Sequence, residues 1–502
     1  MRNILCRLLI ISWLVSGAIS SVHSQTVLGD EPSELNWVNI KGNYHLSDFK
    51  GHAVLLCFWR FEDFHWRTEH KAIGQFKSKF PEVLMVGVHC PKFTYESLDV
   101  YLLDAIKYHN IEIPIINDSN YNLSRGFAIP VLPTYVLIDP YGRKVGTYPG
   151  PFNSKGLKPI IISLLEEYKF RKLLKDDDFS FELSKQDKLE ISYPSQITID
   201  PENENLFISI SNKNRIAITT LSGKVLQIIG SGTSGIKDGS FSEAQFNNPN
   251  GMTFDMDKKL LYVADTDNHL IRKIDLNKES VETVLGTGFP NFSNDKNFGI
   301  GTEVAIAYPF DLTIIENELF ITMAGKNQIW KMDIERLQAE VLLGDGITNR
   351  LDGFLIQSQL ARPLGICSNK KDLYFVEGES SSLRQSKSGF VSTLIGINMI
   401  EFGDIDGKFP HAMMQYPSGI GFNNDQIYIA DTYNQKIKSF DLQTEELKTI
   451  ISNTKDKAIL NCPNDLIIHD QKVYIINKFN NKIVVYDIDS RETTWWELKL
   501  RQ

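Results

Sequence analysis

The sequence predicts a multidomain protein: an α/β domain followed by an all-β propeller of six blades. Three observations predict it. Strand and helix signals alternate over residues 35–175, a six-fold repeat starts at residue 191, and 502 residues exceed what one hydrophobic core accommodates.

The α/β elements follow in order. Residues 53–59 (AVLLCFW) form an unbroken apolar run, the mark of a strand buried on both faces. Helical spacing runs over 62–80 through Phe64, Ile73 and Phe76, and 83–89 (VLMVGVH) reads as a second buried strand. A helix over 97–109 and a short strand over 113–116 come next. The strand at 134–138 is followed by Asp139-Pro140-Tyr141-Gly142, a turn in which Pro presets φ and Gly tolerates positive φ. Residues 143–148 return as a hairpin, and 157–174 form an amphipathic closing helix. The pattern implies a sheet with helices on both faces.

The second half repeats. Prolines 194, 249, 309, 363, 417 and 463 precede the apolar residues 216, 271, 329, 383, 437 and 483 by 20 or 22 residues. Each unit offers a proline, strands rich in aromatic and β-branched residues, and an Asn near the third strand. The clearest copies run from Tyr262 to Ile271 and from Tyr428 to Ile437. One such unit cannot bury both its faces, so four-stranded antiparallel blades arranged radially are expected. Gly-rich links at 230–248 and 344–362 lengthen the repeat, and Asp-Gly turns recur at 238–239, 352–353 and 406–407.

The remaining stretches are read as follows. Arg2 and Arg7 precede the apolar stretch 8–19, and small residues flank a cleavage point before Gln25, which predicts a signal peptide over 1–24 and a secreted or periplasmic protein. Residues 25–34 form an N-terminal segment, 176–190 a linker and 191–502 the propeller. No membrane span is expected after cleavage, and no further domain after the sixth blade. The net charge of −9 argues against a nucleic-acid partner. Cys57, Cys90, Cys367 and Cys462 outlast signal removal and are expected as buried, unpaired thiols, since no Cys-x-x-Cys occurs.

Val131-Leu132-Pro133-Thr134 and the element order resemble thioredoxin-like proteins, and the repeats resemble NHL repeats. The whole of 35–500 resembles the NHL-repeat-containing protein 2 family, through Gly87-Val88-His89, the run from Met323 to Trp330, Gly378 to Ser382 and Phe402 to Gly407. The resemblance implies a cis Leu132–Pro133 bond facing the start of the first helix. There the family places a redox dithiol, and this chain has Phe61-Glu62-Asp63-Phe64-His65, with Glu62 and His65 in the thiol slots.

Glu62, Asp63, His65 and Pro133 therefore define a degenerate thioredoxin site with no catalytic residue. His52, His65, His70, His89, Glu62 and Asp63 complete no three- or four-ligand pattern, so neither a metal nor a cofactor is expected. On the propeller, Asn250, Asp311, Asn464 and Asp465 are candidates to face the central channel. Asp265 and Asp431 read as strand-end residues bonding backbone. The expected function is that of an exported interaction or scaffold protein, binding a protein, peptide or glycan through propeller loops. A thiol-disulfide oxidoreductase and a metal-dependent propeller hydrolase or lyase stand as alternatives.

Overall fold

A computed structural model describes residues 34–61, 64–175, 179, 181–184, 193–293, 297–454 and 458–500. The signal segment lies outside them. The chain divides into two units, Met1–Lys92 with Glu96–Gln186, and Phe93–Tyr95 with Asp187–Gln502.

The first unit contains β1 (Ala53–Trp59), α1 (Phe64–Lys79), β2 (Val83–His89), α2 (Asp99–His109), β3 (Ile115–Asn117), α3 (Asn122–Gly126), β4 (Thr134–Ile138), β5 (Lys144–Pro149) and α4 (Ser154–Phe170). The sheet order is β3-β2-β1-β4-β5. β1, β2 and β3 run parallel, and β4 and β5 are antiparallel to their neighbours. Every residue of β1 and β2 is buried, which is why both read as unbroken apolar runs. α3 was not foreseen. At five residues it is too short for periodicity, and it is set by Asp118, whose carboxylate accepts the N–H groups of Leu123 (3.0 Å) and Ser124 (2.9 Å).

The linker expected over 176–190 needs correction in its described residues. Phe179 and Phe181 pack against Trp37, Tyr44 and Phe49 with ring centroids 5.3–5.8 Å apart, and Leu183 pairs with Ile40. The alternation Phe179-x-Phe181-x-Leu183 carried the signal, because each aromatic ring contributes a large apolar area to a core.

The second unit is a six-bladed propeller of antiparallel sheets, each built from strands consecutive in sequence. The inner strands are Pro194–Asp200, Pro249–Asp255, Pro309–Ile315, Pro363–Ser368, Gly419–Asn423 and Pro463–His469. They pack in ring order, the sixth against the first. Three blades exceed the expected four strands. Gly239–Ser240, Phe298–Ile300 and Gly353–Phe354 add a short outer strand to blades two, three and four.

A clasp recurs at every blade boundary. Asn214, His269, Asn327, Ser381, Gln435 and Asn481 all have left-handed φ of 52–57°. The side chain of each accepts the backbone N–H of the residue just before the next blade's proline. Asn248 donates to Asn214 (3.0 Å), Tyr308 to His269 Nδ1 (3.2 Å) and Arg362 to Asn327 (2.9 Å). Tyr416 donates to Ser381 (3.1 Å), Cys462 to Gln435 (2.8 Å) and Tyr193 to Asn481 (3.1 Å). The last bond closes the ring, since it joins blade six to blade one. All six donors are themselves left-handed, with φ of 41–57°. Three acceptors are Asn, which tolerates this region better than most side chains.

Blades two, four and five also hold a buried cation. Arg272 bonds Asp265 (2.8 Å) and Asp238 (2.7 Å), and Arg384 bonds Glu377 (2.9 Å) and Asp352 (3.0 Å). Lys438 bonds Asp404 (2.9 Å) and Asp406 (2.8 Å), with Asp431 at 3.8 Å. Asp238, Asp352 and Asp406 belong to the Asp-Gly turns and also accept from Thr283, Thr393 and Thr449, fastening each link to the outer part of its blade. Asp265 and Asp431 accept backbone N–H groups, from Asn247 (2.7 Å) and Gln415 (2.8 Å), and each also accepts from an Asn of its own blade, Asn268 and Asn434 (both 2.8 Å). Blade three fills the same positions with Met323 and Trp330, both fully buried.

Candidate functional site

In the first unit, β4 pairs with β1 so that Thr134 lies opposite Phe58. This register sets Pro133 at the carboxyl end of β1, the end from which the chain passes into α1. The Leu132–Pro133 bond is cis, the isomer the resemblance implies, and Pro133 is buried. Glu62 and Asp63 lie outside the described residues. His65 falls in the first turn of α1, and its side chain lies outside the described set.

Behind this end of the sheet, His89 is completely buried on β2. The ring of Trp59 meets it edge-on at 5.2 Å, and its Nδ1 lies 3.5 Å from Asn117 Oδ1. Burial pulls its pKa down to about 4, so the ring is neutral at physiological pH. Cys57 and Cys90 are buried and unpaired. Burial pushes both thiols far above their usual range, reinforced by Glu69 at Cys57 and by Asp118 at Cys90. A thiolate is the reactive form, so these are poor nucleophiles. At the other end of the strands lies a pocket of about 760 Å³, lined by Ile73, Met85, Ile113, Phe179 and Phe181, with Lys77 among its polar groups.

On the propeller, the structure places all four expected channel residues on inner strands. Asn250 is fully engaged: its amide donates to Asn248 O (3.1 Å) and Thr266 Oγ1 (2.8 Å) and accepts from Ser195 Oγ (3.0 Å). Asn464 donates to Ser195 O (2.7 Å) across the ring closure. These two residues tie blades together. Asp311 and Asp465 are buried carboxylates that likewise bond the backbone of the next blade. Asp311 accepts from Leu312 N (2.8 Å) and Ile366 N (2.9 Å), and Asp465 from Ile197 N (2.9 Å). Gln196 holds the equivalent position, two residues past the proline, on the inner strand of blade one. Among the described residues, only Glu204, His469 and Asp470 group three potential His, Cys or acidic ligands closely enough to hold a metal, at the turns of blades one and six.

The links between blades two and five carry exposed apolar side chains. Phe289, Phe298, Ile300, Phe354, Ile356 and Ile400 are each more than half exposed. Scattered surface apolar residues need no account, but a concentration on successive links marks a surface suited to a partner.

Comparison with known proteins accords with this architecture. Residues 246–274 match the NHL repeat family. The chain is 32% identical to NHL repeat-containing protein 2 of Gallus gallus over 83% of its own length, spanning 62% of that protein. It is 31% identical to Protein SUPPRESSOR OF QUENCHING 1, chloroplastic, of Arabidopsis thaliana over 87% of its length, spanning 43% of that protein. Over 29% of the chain it is 23% identical to the thiol-disulfide oxidoreductase ResA of Bacillus cereus, of which it spans 87%. The fold is thus a thioredoxin-like α/β domain joined to a six-bladed NHL propeller.

Proposed function

The chain is a homologue of NHL repeat-containing protein 2, and on that footing we propose that it is an exported interaction protein that binds a protein, peptide or glycan through its propeller links. The observation that carries this reading is the run of exposed apolar residues on the links leading into blades three, four and five. The thioredoxin-like domain serves as a redox-inactive second surface. Supporting this, the sequence has no Cys-x-x-Cys, and Cys57 and Cys90 are buried with thiols held protonated.

Two assays test the reading. Insulin-disulfide reduction should show no turnover; turnover lost in Cys90→Ser would overturn redox inactivity. Partners captured by the wild-type chain should be lost with Phe298→Ser/Phe354→Ser, and equal capture by both chains sinks the link surface. Export predicts a mature chain starting at Gln25, and an intact Met1 in the cell would refute it.

A further inference from the structure

Blade three ends in an open edge. Its outermost strand, Phe298–Ile300, pairs on one side only, with Gln338–Leu343. The N–H of Val341 donates to Asn297 O at 2.9 Å, and that of Gly301 to Leu337 O at 2.8 Å. Bonded pairs alternate with unbonded ones along an antiparallel ladder. Phe298 and Ile300, opposite Glu340 and Gln338, are therefore the unbonded positions, and their N–H and C=O groups turn outward. No further strand of the sheet lies beyond them among the described residues.

The side chains at this edge are apolar and bare. Phe298 is 72% exposed and Ile300 58%. Gly299, between them, turns to the other face, where a Cβ would come 2.6 Å from the Cβ of buried Val304. Natural sheets blunt their edges with polar residues, charges or a covering element. Blade two does so with Ser240, whose hydroxyl donates to Glu243 at 2.8 Å. Blade four sets the ring of Phe390 against Phe354, centroids 4.8 Å apart. Blade three leaves an apolar pair at strand spacing beside unused backbone groups.

The charge beside this pair is negative. Lys331 reaches both Glu318 (3.3 Å) and Glu340 (3.2 Å), so one cation serves two carboxylates. Glu340 stands directly across from Phe298, within reach of a long side chain laid over that ring.

We propose, on the reading that the links bind a partner, that the edge of blade three takes up an extended segment of a partner protein as a sixth strand. The segment's backbone engages the outward groups of Phe298 and Ile300. Its residues on one face are apolar and basic in turn, the apolar ones covering Phe298 and Ile300 and a Lys or Arg reaching over Phe298 towards Glu340.

The probe is a fluorescein-labelled, end-capped peptide, Val-Thr-Lys-Thr-Val-Thr-Lys, mixed with the full chain. Fluorescence polarisation should show saturable binding. Ile300→Pro removes an N–H that the ladder to Gln338–Leu343 does not use, and should weaken binding by about tenfold. N-methylating alternate residues of the peptide should do the same in one register and not in the other. Hydrogen exchange at Phe298 and Ile300 should slow when the peptide binds. Absence of binding overturns strand addition, as does binding that Ile300→Pro and both N-methylated peptides leave unchanged. Neither result touches the wider link surface, which fails only when Phe298→Ser/Phe354→Ser keeps its partners. A dimer of the full chain that dissociates in Ile300→Pro places a second copy on the edge and refutes the partner segment.

Discussion

His269 is the one clasp residue of the six with an ionisable side chain. Its Nδ1 accepts the Tyr308 N–H at 3.2 Å, which requires an unprotonated nitrogen, and the Tyr308 ring stands edge-on at 4.5 Å. The residue is 4% exposed, and burial pulls its pKa from 6.5 down to about 4. The folded pKa is depressed, so between these values the unfolded chain holds a proton that the folded chain refuses. Stability is therefore lost as pH falls from 6.5 towards 4. Integrating the two titrations from pH 7.5 to pH 4.5 gives a loss of about 2–3 kcal/mol from this one group. His269→Asn installs the acceptor used at Asn214, Asn327 and Asn481, keeps the clasp and removes the titration. Urea unfolding of both proteins, followed by circular dichroism across that range, isolates the difference. The propeller of the variant should retain about 2–3 kcal/mol more stability at pH 4.5, relative to pH 7.5, than the wild type. Parallel profiles would refute the assignment of the clasp.

Three further outcomes are expected. Asn481→Ala leaves the Tyr193 N–H unsatisfied at the ring closure and should cost about 1–3 kcal/mol in propeller unfolding, with increased hydrogen exchange in blades one and six; uniform exchange across the blades would count against a closure role. Arg272→Met strands the buried Asp265 carboxylate and should cost about 3–5 kcal/mol, most of it regained when Asp265→Met is added, in keeping with the apolar pair Met323 and Trp330 in blade three. Cys57, Cys90, Cys367 and Cys462 should resist a thiol reagent in the folded chain and react after denaturation; fast labelling of native Cys90 would show a thiolate that the burial argument forbids.

The three blades whose buried cation is paired with carboxylates, Arg272, Arg384 and Lys438, are the three with Asp-Gly turns in their incoming links. The coupling is physical. The turn acid supplies the second carboxylate that a buried Arg or Lys needs, and its remaining capacity fastens the link to a Thr of the blade. A blade lacking the turn has no second anion to offer, and blade three accordingly uses an apolar pair that needs none.

The sequence alone determined the division into an alternating α/β region and a six-fold β repeat, because strand burial and blade period write directly into hydrophobic spacing. It also located Pro133 and the inner-strand positions of Asp311 and Asp465. Tertiary structure alone decided what those positions do. Asn250 and Asn464 became ties between blades, and Asp311 and Asp465 bond the backbone of the next blade at Ile366 and Ile197. Phe179 and Phe181 left the expected linker for the first core. The clasps were hidden for the same reason: each joins residues 27 to 39 apart within the repeat, and 288 apart at closure. Asn, His, Ser and Gln can all serve as the acceptor. A function met by four side-chain types leaves no residue signature, and only the closed ring shows which backbone N–H each one holds.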